Sequence, residues 1–331
     1  MKDRIHRLLR HAGLVAFPLA YLACLVIFAS LTFPFRLLRD RIVATFNAQQ
    51  RASGGQYELQ VEEFGGYWLS GVRMKGIRLM SASSEPGKSA QTLEIDDLTV
   101  RYGLLPAILG SREIAFDMLA FGGEATGTYA TQGKDVSMDV SLDAIEIGRV
   151  TPLVDVVGVP LKGKLSGSVH FLLPDGATSK GAGTVSITVK DVSVGDGKAK
   201  LKGALALPTI EVGPVSFLAE AKGGVLRVNK LLAGGRDLEL QGDGRVLLRD
   251  AVADAICDVQ IRFKVNDTYR SKNDITTSLF GAPGSSVPPL FELADPRIKQ
   301  SKRADGFYAW TMRGALNRAE FVPAAGGAGK M

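Results

Sequence analysis

Reactive side chains are few, and their spacing keeps them apart. The chain of 331 residues has three His, and only His170 lies beyond residue 50. It sits between Val169 and Phe171 in Leu165–Leu172, so strand alternation puts it on the polar face. A hydrolytic triad would have to be built on this imidazole, yet no G-x-S-x-G turn is present to raise a nucleophilic Ser. Asp96-Asp97 offers paired carboxylates, but adjacent strand residues point to opposite faces. Gly87-Lys88-Ser89 has the ending of a phosphate loop. The motif's first glycine falls on Ala82, and no helical pattern follows to present a helix N-terminus. Two Cys, Cys24 and Cys257, make neither a disulfide framework nor a zinc set. The sequence predicts a protein with no catalytic residues, no cofactor and no metal centre.

Composition narrows the class. Apolar residues are 46% and charged residues 22% of the chain, values of an ordinary folded protein rather than a disordered or polytopic membrane chain. The net charge of +6 is unevenly placed: residues 1–50 hold seven Lys/Arg against two Asp/Glu, leaving 33 against 32 beyond them. The body is therefore nearly neutral and shows no basic stripe, which argues against nucleic acid as a partner.

The early cations flank an apolar run. Leu14–Phe35 is 22 residues without a charge, long enough as a helix to cross a hydrocarbon core of about 30 Å. Lys2, Arg4, Arg7 and Arg10 precede it, and Arg36, Arg39 and Arg41 follow it. The run exceeds the 7–15 residues usual for a signal-peptide core and no A-x-A site follows, so it reads as a signal anchor rather than a cleaved leader. Residues 1–13 are then a cytoplasmic basic segment, 14–35 a transmembrane helix, and the bulk of the chain is exported. Residues 36–51 keep apolar positions at helical spacing (Leu37, Leu38, Ile42, Val43 and Phe46), and form an interfacial or a stalk helix.

After Gly54 the apolar period changes from 3.6 to 2. Cys257, Val259, Ile261, Phe263 and Val265 alternate with polar residues, as do Val136, Met138, Val140 and Leu142, and Val185, Ile187 and Val189. Tyr308, Trp310 and Met312 carry the pattern near the C-terminus. Glycine-rich turn signals separate the runs: Gly122-Gly123, Gln132-Gly133, Asp175-Gly176, Gly195-Asp196-Gly197, Gly234-Gly235 and Gly242-Asp243-Gly244. Short strands punctuated this way predict a mainly β domain over residues 52–322, an extended, curved antiparallel sheet with a few short helices. Leu104–Leu109 and Pro152–Val157 are the helical pieces, the second with Thr151 as N-cap. Leu161-Lys162-Gly163, Leu201-Lys202-Gly203, Leu240-Gln241-Gly242 and Met312-Arg313-Gly314 form a weak internal echo. Residues 271–305, with Pro283, Pro288, Pro289 and Pro296, break the pattern, either as a cap on the sheet or as a long loop. Residues 323–331 read as a disordered tail.

Several stretches carry a family likeness: Leu69–Leu79, Leu93–Tyr102, Val159–Gly167, Gly224–Leu231 running into Gly242–Leu248, and Tyr308–Leu316. With the basic N-terminus and single span, they resemble the protein N component (GspN) of type II secretion systems in its delta-proteobacterial form. The hairpin style is also similar to the broader AsmA-like group, whose members resemble bridges that hold lipid tails in an apolar β groove. The resemblance implies a bitopic inner-membrane accessory of the secretion machine, with its β domain in the periplasm and other secretion components as partners. It supplies no catalytic residues. The alternative it leaves open is a lipid-binding or lipid-transfer protein, with membrane lipid as the ligand.

Overall fold

The computed structural model describes residues 32–52, 57–68, 70–81, 91–108, 110–151, 159–197, 200–201, 205–206, 208–251, 254–285 and 287–324, with Leu153 and seven positions between Phe17 and Phe28. Those seven and Thr32 are helical, and the rest of the apolar run expected to span a membrane lies outside the described residues, as do residues 1–13. Among the described residues no helix is long and apolar enough to cross a membrane. The chain divides into two compact units, Met1–Leu104 and Leu105–Met331.

In the first unit, helix α1 (Phe35–Ala52) is followed by strands β1 (Tyr57–Tyr67), β2 (Gly71–Ser81) and β3 (Gln91–Tyr102). The three strands pair in sequence order as an antiparallel meander. The helix turns one stripe toward β1, with Phe35, Leu38, Val43 and Phe46 half-buried and Asn47 buried. Its opposite side leaves Leu37 exposed. Asn47 fastens the helix as a strand would: its Nδ2 donates to the Leu59 carbonyl at 3.2 Å, and the Leu59 amide donates to its Oδ1 at 2.8 Å. Nearer the helix start, Arg39 donates to the Glu62 carbonyl at 3.2 Å, and the Phe35 ring lies 6.4 Å from that of Phe64. Helix and strand therefore run antiparallel.

A short helix α2 (Leu104–Ile108) leads into the second unit, whose strands are β4 (Ser111–Ala120), β5 (Gly123–Gln132), β6 (Asp135–Glu146), β7 (Leu161–Leu173), β8 (Ala182–Val194), β9 (Lys200–Leu201), β10 (Leu205–Ala206), β11 (Ile210–Lys222), β12 (Val225–Gly234), β13 (Leu238–Leu247), β14 (Ile256–Val265), β15 (Tyr308–Ala315) and β16 (Glu320–Pro323). Apart from β9 and β10, they form one open antiparallel sheet in the order β4-β5-β6-β7-β8-β11-β12-β13-β14-β15-β16. The β9–β10 hairpin is the only other sheet among the described residues of this unit. Tight turns make the meander possible. Gly223 and Gly224, both at positive φ (57° and 77°), join β11 to β12 in a two-residue loop, the geometry that matches strand twist. Phe121-Gly122 does the same between β4 and β5, so the turn falls one residue earlier than the expected Gly122-Gly123. Register shifts at Leu142/Ile145, Lys162/Lys164 and Val228/Leu231 bend the sheet.

Two expectations need correction. Gly242-Asp243-Gly244 is not a turn but the middle of β13. A Cβ at Gly242 would lie 2.8 Å from Leu231, so glycine stands there to admit that side chain. The echoed triplets fall at the start of β7, the middle of β13 and the end of β15, and so mark no equivalent points of a repeat. Lys202 and Gly203 lie outside the described residues, as does most of Pro152–Val157. At the C-terminus β16 runs through Pro323, and Ala324 is buried with its amide donating to the Ala309 carbonyl at 2.9 Å. Residues 325–331 lie outside the described residues.

Replacing Asn47 with Ala should loosen α1 from β1. Two hydrogen bonds between the buried Asn47 and the half-buried Leu59 are lost, and the stranded Leu59 groups cost about 1–3 kcal/mol. Amide exchange at Leu59 should rise while exchange in the second unit stays unchanged.

Candidate functional site

The register of the second sheet decides which side chains share a surface. Phe171 opposes Met138 on one flank and Gly183 on the other. One step along, Val169 opposes Val140 and Val185, and Val185 in turn opposes Ala219. The row continues through Val228, Gly244, Val259 and Met312. Toward the other flank the same side carries Phe116 and Met118 of β4. The opposite side presents Thr184, Ser186, Glu220, Arg227, Asp243, Arg245 and Gln260. One face is thus apolar from β4 to β15. Most of its side chains are half-buried: Phe116, Met138, Val140, Val169, Val185, Ile187, Phe217 and Ile261 all keep part of their surface accessible. Ala219, Val228 and Val259 in the middle of the row are buried, and near one end of β8, β11 and β12 a closed cluster forms, with Val192, Val212 and Ala233 buried among Val189, Val194, Ile210, Val215, Leu238 and Leu240.

That end of the face is closed by the insertion between β14 and β15. It is neither a strand nor a long loop. It folds into helices α3 (Asp267–Arg270), α4 (Asp274–Phe280), α5 (Leu290–Ala294) and α6 (Pro296–Ser301). Asn273 caps α4 by accepting from the Thr276 amide at 2.8 Å, and Asp295 caps α6 by accepting from the Arg297 amide at 2.8 Å. A chain of rings ties the insertion to the sheet. Tyr269, Phe280, Phe291, Tyr308 and Phe263 follow one another with centroid distances of 5.8, 5.4, 5.5 and 5.4 Å. Tyr269 is fully buried and donates to the Pro208 carbonyl at 2.7 Å.

Two buried carboxylates anchor this cap. Asp237, 1% exposed, accepts from the Glu211 amide at 3.0 Å and from Lys272 Nζ at 3.1 Å. Lys272 also lies 5.4 Å from the centre of the Tyr269 ring. Glu292, 6% exposed, accepts on Oε1 from Lys302 Nζ at 2.6 Å and Tyr308 Oη at 2.8 Å. Burial by itself would raise the Glu292 carboxyl, but the two hydrogen bonds and the charges of Lys302 and Lys299 outweigh it and hold it below the ordinary carboxylate value. Burial, reinforced by the negative charge of Asp237, pushes the Tyr269 phenol up to about 12. Burial and the bond to Glu292 also raise Tyr308. Beside them lies a cavity of about 220 Å³ lined by Arg270, Phe280, Pro288, Pro289, Glu292 and Tyr308 among others.

The residues singled out for chemistry are scattered. His170 stands on the polar face, half exposed, in contact through Nδ1 with the Asp139 carboxylate of the adjoining strand. Asp97 is held by Arg73 at 2.9 Å, and Asp96 lies exposed on the other face. Gly87-Lys88-Ser89 lies outside the described residues. Cys24 and Cys257 are both free, and burial raises the Cys257 thiol. Among the described residues no group of His, Cys, Asp and Glu could hold a metal ion. Sequence reasoning missed Asp237, Lys272, Glu292 and Lys302; Glu292 alone carried a signal, an acidic residue amid the apolar and Pro-rich positions of the insertion, whereas Asp237 lies in the turn between β12 and β13. The arrangement suits contact with apolar matter along the sheet and rigid closure at one end. No family model, curated protein or solved structure matches the chain.

The depressed Glu292 carboxyl gives the cap an acid limit. Its contribution to stability is full above the unfolded value of about 4.5 and is lost as pH falls through the lower folded value. Near-ultraviolet dichroism of the Tyr and Phe rings should collapse on acidification in that range, and Glu292→Gln should lose the dependence while costing about 1–3 kcal/mol at neutral pH. Tyr269 has the opposite sign: its contribution is intact below pH 10.0 and lost as pH rises toward about 12. Tyr269→Phe should remove that alkaline step from a pH titration of stability.

Proposed function

We propose that this chain is a membrane-tethered, non-catalytic β protein that holds the acyl chains of phospholipid on the apolar face of its second unit. One observation carries the reading. The apolar rows run in register from β4 to β15, side chains such as Phe116, Val140, Val169, Val185 and Ile261 stay half-exposed although Ala219, Val228 and Val259 are buried, and among the described residues of that unit no second sheet of comparable size stands to cover them. An apolar face of this extent needs a cover. Each ~100 Å² removed from water contributes about 2.5 kcal/mol, so an aliphatic ligand several CH₂ groups long is held without any polar contact. The tether is the apolar run Leu14–Phe35 with its flanking cations, and the positive-inside bias favours an inner-membrane protein with its body in the periplasm.

The stretches Leu69–Leu79, Leu93–Tyr102 and Gly224–Leu231 favour a compatible second reading, an accessory of the type II secretion machine that meets other secretion components in the periplasm. The outer edge of β16 supplies a docking point, since it pairs only with β15 among the described residues, and free edge groups accept another strand.

Native mass spectrometry of the chain extracted without lipid supplementation should find phospholipid bound. Ile187→Asp, on the apolar face, should lose it, whereas Thr188→Asp, on the polar face, should keep it. Lipid-free wild type, or equal loss in both variants, overturns the carrier reading. For the secretion reading, a photo-crosslinker at Phe321 should capture secretion components in cells. Intact secretion after deletion of the chain would reject that role.

A further inference from the structure

The turn between β1 and β2 carries an aromatic residue that the fold of its own unit does not use. Trp68 is 83% exposed, the largest exposure of any big apolar side chain among the described residues. Its φ is +52°, a left-handed conformation that a bulky residue adopts only at a cost. Glycine or asparagine would fit that turn without strain. An exposed indole held in an unfavourable backbone conformation gains nothing from the packing around it, which points outward for its purpose.

The rest of the unit says what lies outward. Asn47 pairs with Leu59, Arg39 with the Glu62 carbonyl and Phe35 with Phe64, so α1 begins at the turn end of β1. A Cβ on Gly66 would fall against the Phe35 ring. Phe33, half exposed, has its ring 4.8 Å from that of Phe35 and tilted against it. The apolar run therefore delivers the chain to the end of the hairpin that bears Trp68. The same end carries Tyr67, with the Arg101 guanidinium 6.0 Å from its ring centre, and the exposed Tyr102. Aromatic rings interspersed with Arg, where an apolar helix ends, are the side chains that settle at the boundary between acyl chains and headgroups.

We infer that the β1–β2 turn is a membrane-surface anchor: Trp68 inserts at the headgroup level of the bilayer that holds residues 14–35. The inference rests on the tether in the proposed function, and it fixes the first unit against the membrane rather than letting it swing on a stalk.

The test uses the full chain reconstituted in phosphatidylcholine–phosphatidylglycerol vesicles, with Trp310→Phe leaving Trp68 as the sole indole. Emission should be blue-shifted and poorly quenched by acrylamide. A nitroxide near the headgroup end of the acyl chain should quench it more than one near the methyl end. In case Trp310→Phe disturbs the sheet, Trp68→Phe in the otherwise native chain should remove the nitroxide-quenched part of the emission. Vesicle flotation separates the two readings. A chain that floats while its Trp68 stays in water, or is quenched mainly by the deep label, overturns this inference alone. A chain that does not float overturns the tether and this inference with it.

Discussion

The second unit depends on one constraint: the two-residue period of its strands must stay in step across eleven of them. A slip of one residue anywhere would turn an entire row to the other side. Where the chain does gain a residue, as between Val228 and Leu231 opposite Gly244 and Gly242, the bulge absorbs it and the apolar row resumes on the same face. The ladder thus sorts side chains into a greasy side and a wet side, with no second sheet of comparable size among the described residues of that unit to enforce the sorting. Cross-strand neighbours such as Val169 and Val185 supply the local packing.

The closed end shows a different balance of forces. There some forty residues between β14 and β15 supply helices and rings, and two buried carboxylates, Glu292 of the insertion and Asp237 of the β12–β13 turn, hold them to the sheet. Glu292 and Asp237 lie almost wholly out of solvent, where an unpaired charge would be prohibitive. Each is met by a lysine and at least one further donor. Such pairs fix geometry more than they add stability. They hold Tyr269 and Tyr308 where the ring chain needs them, and the insertion keeps a single arrangement against the sheet.

Much of this was legible in the sequence and some was not, for physical reasons. Alternation at Cys257–Val265 or Val136–Leu142 is a local property, and it read directly as strand. Gly242 and Gly244 were misread because glycine marks both a turn and a close approach, and only the partner strand, with Leu231 above Gly242, distinguishes them. The insertion was opaque because its stability is non-local: Tyr269 reaches a carbonyl 61 residues away, and Tyr308 reaches Glu292 across the β14–β15 gap. Trp68 gave no signal in the sequence, because neither its positive φ nor its neighbours are written in the local pattern. Glu292 lay in a segment whose prolines left a cap on the sheet and a long loop equally open, and Asp237 lay in a turn far from it in sequence.

Sequential pairing in the second unit carries an evolutionary corollary. Nearly every strand bonds to the one made just before it, and the single skip, from β8 to β11, merely steps over a small hairpin. No connection crosses another. A gene encoding such an architecture can therefore duplicate or delete a whole hairpin at any glycine corner without rerouting the rest. The width of the apolar face becomes a quantity that heredity can lengthen or shorten in units of two strands, while the helical insertion between β14 and β15 stays as it is.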